Sequence, residues 1–292
     1  MLQEKKHHKH VNTRRYTRSL VGDIINVLIL GIFGAFMFIP MLYTINNAFK
    51  PLDELFVFPP HILVHNPTLN NFWDLSVILS DSWVPFSRYI FNTFFITITA
   101  TTGHVIISSL AAYAFEKHNF PGRKMLFKLV VTTLLFTTSL TSIPSYIIMT
   151  KLGWIDSHAA LIIPALGAPL GLYLMKQFMS NIPDSLIEAA KIDGSSEWHT
   201  FWTIVMPNTR PAWLTLIIFS FQSLWGATGG TYILSEEKKT LSYAMSQIVS
   251  GGVARAGAGS AVGVLMMIVP ITVFIITQSN ILETMTTSGM KD

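Results

Sequence analysis

Side chains able to do chemistry are sparse in this chain, and one stretch arranges them in an informative pattern. Residues 182–211 read I-P-D-S-L-I-E-A-A-K-I-D-G-S-S-E-W-H-T-F-W-T-I-V-M-P-N-T-R-P. Pro183 suits a first helical turn, and Asp184 complements the positive end of the helix dipole. Leu186, Ala189 and Ala190 share one face at i, i+3, i+4 spacing. Gly194 permits a turn with positive φ that ends this first helix, and Ser195 and Ser196 offer N-caps for a second. In the second, Trp198, Phe201, Trp202 and Val205 form an apolar stripe, with Glu197 and His199 off it. Pro207 and Pro211 punctuate its end. The chemistry this unit offers is recognition, and two readings stand. It is a pair of interfacial helices with aromatics among lipid headgroups, or it is a docking surface for a soluble partner.

Bond-making chemistry finds no comparable support. There is no Cys, so disulfide scaffolds and Cys-based metal sites are excluded. His7, His8 and His10 lie in a terminal cluster with no fixed geometry for a metal. No H-E-x-x-H occurs, and Gly257-Ala258-Gly259-Ser260 does not follow the G-x-S-G order of a membrane serine protease. No G-x-x-x-x-G-K-[ST] phosphate loop is present, so the chain does not hydrolyse ATP by that route. The chain is therefore expected to be no enzyme.

The elements that position the loop follow from composition. Of the 292 residues 50% are hydrophobic and 12% charged, and mean hydropathy is +0.47. An average soluble domain carries about 25% charged residues, so this chain reads as an all-α integral membrane protein. A formal charge of +4 is too small to suggest a nucleic-acid partner. Six apolar stretches approach the roughly 20 residues a membrane span needs: 21–45, 88–115, 125–149, 159–178, 212–227 and 261–278. They make up a permease domain over 21–280, between a basic N-terminal tail (1–20) and a short C-terminal tail (281–292).

Lys and Arg crowd the tail before the first span, the connection after the second and the region 176–210. By the positive-inside rule this places both termini and the 181–211 loop in the cytoplasm, and the connections 46–87 and 229–260 outside. The basic tail also meets anionic lipid headgroups. The alternative of a secondary transporter or channel that needs no ATPase finds little support, because paired carboxylates are missing from the spans and no proton or sodium relay is evident. Asn92, His104, Gln222 and Trp225 are the polar or amphipathic groups that could line a solute path. His104 could equally bond a neighbouring helix, and Trp225 could belong to an interfacial belt.

Glu188-Ala189-Ala190, Gly194, Ile204 and Met206-Pro207 have the spacing of the EAA loop of ABC importer permeases. Met206 stands where that pattern has Leu. Tyr113-Ala114-Phe115 with Phe120-Pro121-Gly122-Arg123, the segment around Pro144, Tyr146, Leu152-Gly153, Asp156 and Leu161–Pro164, and Lys239-Thr240-Leu241 extend the likeness. Together they resemble the carbohydrate-importing branch, and within it the smaller permease subunit of maltose-type importers. The stretches Trp225–Gly230 and Ser288–Asp292 depart from the family pattern.

The resemblance implies a type I ABC importer permease fold in a bacterial cell membrane. It implies a second, related permease subunit, a cytoplasmic ABC ATPase dimer, an extracytoplasmic solute-binding protein and a sugar substrate. Polyamine, phosphate or peptide are the alternative cargoes. No cofactor is implied for this chain; ATP and Mg belong to the ATPase. Glu188 would be the charged contact with the ATPase, and Ala189 and Ala190 would allow close approach. Asp193, Gly194, Ile204, Met206 and Pro207 complete the coupling motif, and Trp198, Phe201 and Trp202 would anchor the loop to its own bundle. Gly251, Gly252, Arg255 and Gly257 would lie in the loop that meets the binding protein.

Overall fold

The computed structural model describes residues 20–80 and 83–288. Residues 1–19 of the expected basic tail, with His7, His8 and His10, and residues 289–292 of the expected C-terminal tail lie outside the described residues. Among the described residues every regular element is helical and no strand occurs.

The chain opens with α1 (Leu20–Phe49), short α2 (Leu52–Leu55) and α3 (Asn70–Ser80). It continues through α4 (Phe86–Lys117), α5 (Arg123–Thr133), α6 (Thr138–Lys151), α7 (Ala159–Leu166) and α8 (Pro169–Met179). The loop region holds α9 (Asp184–Ile192), α10 (Glu197–Thr200), a π-helical segment (Phe201–Val205) and α11 (Met206–Asn208). Then come α12 (Arg210–Trp225), α13 (Leu241–Val249) and α14 (Ala256–Ser288).

Helix α4 is the axis of the bundle, packed against α7, α8, α12 and α13. Its buried face carries Asn92, Thr93, Ile96, Thr97, Ala100, Thr101, His104, Val105, Ser108 and Ala112, a stripe at i, i+3, i+4 spacing. Small and polar groups dominate it, which is how helices approach closely in a medium as apolar as their own side chains. Two apolar cores flank the axis. One joins Tyr89 to Trp225, Met245 and Ala261; the other joins Val105 and Tyr113 to Met175, Ile187, Phe201 and Leu216. Helix α1 lies at the edge against α14 and α3, its apolar residues from Val21 to Ile39 largely exposed.

Four stretches are long and apolar enough to cross a bilayer: Val21–Phe49, Phe86–Lys117, Ala159–Met179 and Ala256–Gln278. The other two expected spans differ from a single long helix. The 125–149 stretch is split between α5 and α6. Hydroxyls just before the split turn inward, Thr132 Oγ1 to Lys128 O at 2.9 Å and Thr133 Oγ1 to Val130 O at 2.6 Å, a back-bonding that bends helices. The 212–227 stretch is α12, only 16 residues long.

The 159–178 stretch is also interrupted, between α7 and α8. Pro169 lacks an N–H and pushes Ala168 into an extended conformation (ψ 124°), so the helix must restart. The region 229–260 is not an open loop: α13 fills its middle and α14 begins at Ala256, so Gly257 and Gly259 are helical.

Candidate functional site

Helix α9 begins after Pro183, with Asp184 in its first turn and Lys191 in its last, each matched to the helix dipole. Ile187 is buried in the core shared with Val105 and Phe201 and Ala190 is buried beside it on the same face, while Glu188 and Ala189 face outward. Gly194 adopts φ +79°, the left-handed conformation that glycine takes without strain. The turn closes with Gly194 N–H on Lys191 O at 3.0 Å and Ser195 N–H on Ala190 O at 2.9 Å. Ser196 caps α10, its Oγ accepting from His199 N–H at 3.2 Å, a contact worth about 1 kcal/mol.

The outward surface is thus Glu188, Ala189, Asp193 and Gly194, with Ile192 86% exposed beside them. Ile204 and Met206 are half-buried and Pro207 is exposed. Met206 O accepts the indole N–H of Trp213 at 3.1 Å, which ties this end of the unit to α12.

The three aromatics part company. Phe201 is buried against Tyr113, ring centroids 5.4 Å apart. Trp198 is 61% exposed and Trp202 is also exposed, both touching Phe201 from outside. Anchoring to the bundle therefore falls to Phe201 with Thr200 and Val205, and not to Trp198. The π-helical turn at 201–205 rotates the faces away from the strict 3.6-residue period on which the stripe was drawn.

The end of α4 grips α9 at both its ends. Lys117 Nζ donates to Ile182 O at 2.6 Å and to Asp184 Oδ1 at 2.7 Å. Glu197 accepts from Lys191 Nζ at 2.6 Å and from Tyr113 Oη at 2.8 Å, with His118 Nε2 at 3.7 Å. Lys191 first, then the Tyr113 hydroxyl, hold the Glu197 carboxyl below its usual range; Lys117 does the same for Asp184. Lys176 on α8 pairs with Glu116 at 2.6 Å, bringing a third helix to the same place.

The candidate path residues are dispersed. Asn92 is fully buried and its amide donates to Glu237 O at 2.8 Å and Lys239 O at 3.0 Å, fastening the segment before α13. Trp225 is buried, stacked on Phe221 and donating to Met266 O at 3.1 Å on α14. Gln222 is exposed. His104 joins three elements: its Nε2 lies 3.0 Å from Ala168 O at the α7–α8 break and its Nδ1 2.8 Å from Ser220 Oγ on α12. A carbonyl only accepts, so Nε2 carries the proton and Nδ1 takes the serine hydroxyl. A cavity of about 180 Å³ opens beside it, lined also by Ser223 and Leu224.

At the opposite end from α9, Asp156 adopts φ +58° and clasps the 232–238 segment. Its Oδ1 accepts from Leu234 N–H at 3.0 Å and Ser235 N–H at 2.8 Å; its Oδ2 accepts from the Ser235 hydroxyl and from Lys238 Nζ at 3.0 Å. Gly251, Gly252 and Arg255 form an exposed tip, with Gly252 at φ +66°. Gly257 does not belong to it: it is buried in α14, where a Cβ would sit 2.1 Å from Asn71 Oδ1.

Glu197, Lys117 and Asp156 were not singled out for these contacts from sequence. Glu197 and Lys191 sit either side of the Gly194 turn, a spacing that could have suggested the pair; Asp156 and Ser235 are 79 positions apart and leave no local signal.

The described residues form an all-helical fold with long apolar helices and an exposed helix–turn–helix braced by the central helix. Residues 19–286 match the family described as binding-protein-dependent transport system inner membrane component, and the chain belongs to that family. It is 33% identical over 210 residues to Protein LplC of Bacillus subtilis, covering 70% of this chain and 67% of that protein. It is 27% identical over 286 residues to the galactooligosaccharides transport system permease protein GanQ of the same organism, covering 96% and 98%. Its fold is shared with a chain of a bacterial ABC transporter involved in the import of the acidic polysaccharide alginate. There the TM-score is 0.75 at 21% identity, over 91% of this chain and 99% of that one.

Proposed function

We propose that this chain is one permease subunit of an ATP-driven, binding-protein-dependent importer for a sugar or oligosaccharide. The observation that carries the reading is α9. It is an exposed helix bearing Glu188 and Ala189, backed by a buried apolar face and followed by the Gly194 turn, and no phosphate loop accompanies it. Uphill transport needs an energy source, and a cytoplasmic ATPase dimer using ATP and Mg, docked on this surface, would supply it. A second, related permease completes the path, and an extracytoplasmic binding protein delivers the solute. The sugar class is supported by the likeness to GanQ, named for galactooligosaccharides, and to a transporter of alginate.

The distribution of Lys and Arg supports six spans with both termini and α9 on the cytoplasmic face of a bacterial cell membrane. Closure of the ATPase dimer would push α9 as a rigid lever and shift the helices between two packings. The exposed tip at Gly251, Gly252 and Arg255 would face the binding protein.

A host strain lacking this chain tests the reading by uptake of a panel of radiolabelled oligosaccharides. Loss of uptake of one class, restored by the intact chain and abolished by draining ATP, is the expected result. Uptake unchanged across the panel, or insensitive to ATP depletion, overturns it.

A further inference from the structure

Helix α4 is held by charged side chains at both ends: near its start Arg88 Nε donates to Glu237 O at 3.3 Å and Tyr89 Oη to Glu236 Oε1 at 2.9 Å. Within its last turn, Tyr113 and Lys117 reach out to the two ends of α9, with His118 just beyond. Lys117 takes the start of α9 through Asp184 and Ile182 O. Glu197 takes its end, bridging Lys191 to the Tyr113 hydroxyl. Tyr113 is buried, so its ring is fixed and its hydroxyl aims at one place; Glu197 and Lys191 are about half exposed. Ion pairs at that exposure contribute little to stability. Their effect is to fix an angle.

Resting on the reading of α9 as the ATPase contact, we infer that Glu197 is a positioning residue for coupling: it is the joint through which α9 moves α4. The argument is geometric. α9 meets the bundle through the buried Ile187 and Ala190, contacts that can slide, since apolar packing is non-directional, and through Lys117, which holds its start; the Glu197 bridge is the directional link at its end. This bridge spans the Gly194 turn, so a displacement of α9 is transmitted to α4 instead of being absorbed at the turn. From there α4 reaches elements it packs against, among them α7, α8, α12, α13 and the turn at Glu236–Lys238. At its far end Asn92 holds Glu237 O and Lys239 O, and Thr93 Oγ1 accepts from Leu241 N–H at 2.7 Å, so the same rod also holds the start of α13.

The test uses the complete importer, copurified with its partner subunits and reconstituted in lipid vesicles with the binding protein. ATP hydrolysis and solute uptake are measured on the same vesicles, and the quantity read is solute moved per ATP. Glu197→Gln is expected to keep the subunits assembled and hydrolysing ATP while this ratio falls about fivefold or more, the lower end of ordinary coupling between sites. Tyr113→Phe keeps the buried ring and removes one hydroxyl, so it reads the same joint if Glu197→Gln assembles poorly; a smaller fall in the ratio is expected. Lys191→Glu with Glu197→Lys restores the pair with reversed sign and is expected to recover most of the ratio. An unchanged ratio in both single variants, or a proportional fall in hydrolysis and uptake together, overturns the inference. Failure of the unaltered chain to copurify with any ATPase instead overturns the reading of α9 on which it rests.

Discussion

Gly171→Ala probes a close approach between α8 and α4. Gly171 faces α4 from the first turn of α8, and a Cβ there would lie 2.3 Å from Ser108 Oγ and 2.4 Å from His104 Nε2. These are more than 1 Å inside a normal van der Waals separation of about 3.5 Å. His104 cannot withdraw freely, because it is buried and held between Ala168 O and Ser220 Oγ. Overpacking a helix contact costs about 1–3 kcal/mol. If His104 yields, Ala168 O loses its partner at the helix break, about 1–3 kcal/mol more. The methyl returns about 1 kcal/mol in helix propensity. The net is a destabilisation of about 1–5 kcal/mol. At its middle, about 3 kcal/mol, the thermal midpoint falls by roughly 6–12 °C. The assay is thermal unfolding of the purified chain in one mild detergent, with Gly34→Ala as the matched control. Gly34 lies in exposed α1, and a Cβ there meets no atom within 4 Å. A Gly171→Ala midpoint equal to that of Gly34→Ala would refute the packing argument and the role of His104 as a clamp.

Two further predictions concern the turns that hold the loops. The Asp156 carboxyl is held well below the usual range, chiefly by the Ser235 hydroxyl and amide and then by Lys238 and Leu234. A depressed folded-state value means the latch is fully formed above the unfolded value of about 4 and is lost only as pH falls through the lower folded one. Amide exchange at Leu234 and Ser235, corrected for intrinsic rates, should therefore stay flat from pH 5 to 8. Asp156→Asn tolerates the positive φ but removes the charge, and should raise that exchange about tenfold. At Gly194 a Cβ meets no neighbour, so Gly194→Ala costs only the left-handed conformation, about 1–2 kcal/mol. Limited proteolysis of 181–211 should quicken with Gly194→Ala and much less with Gly194→Asn.

What the sequence disclosed and what it hid divide along the range of the interactions. The Gly194 turn and the Ser196 cap were legible because glycine's φ and serine's capping are local properties. The long apolar helices were legible from composition alone. The break at Ala168 was legible only in part: Pro169 marks a candidate kink, but an apolar run on both sides reads as one span. Asn92 and Trp225 looked like path residues because polar groups inside spans invite that reading. Their partners, Lys239 O and Met266 O, lie 147 and 41 positions away and fasten elements together. Gly257 looked like a flexible loop residue; its lack of a side chain instead serves the approach of Asn71, whose amide holds Ala48 O at 2.9 Å and Lys50 O at 2.7 Å.

The central claim is that the exposed face of α9 docks an ATPase through Glu188. The direct measurement is purification of the tagged chain from its host in mild detergent, with mass spectrometry of what coelutes. The account predicts an ABC ATPase and a second permease with the unaltered chain. With Glu188→Lys, the ATPase should be lost or its stimulation abolished, while the chain stays inserted and melts at an unchanged temperature. Elution of the unaltered chain alone or as a homo-oligomer, or full ATPase recovery and normal uptake with Glu188→Lys, would contradict it.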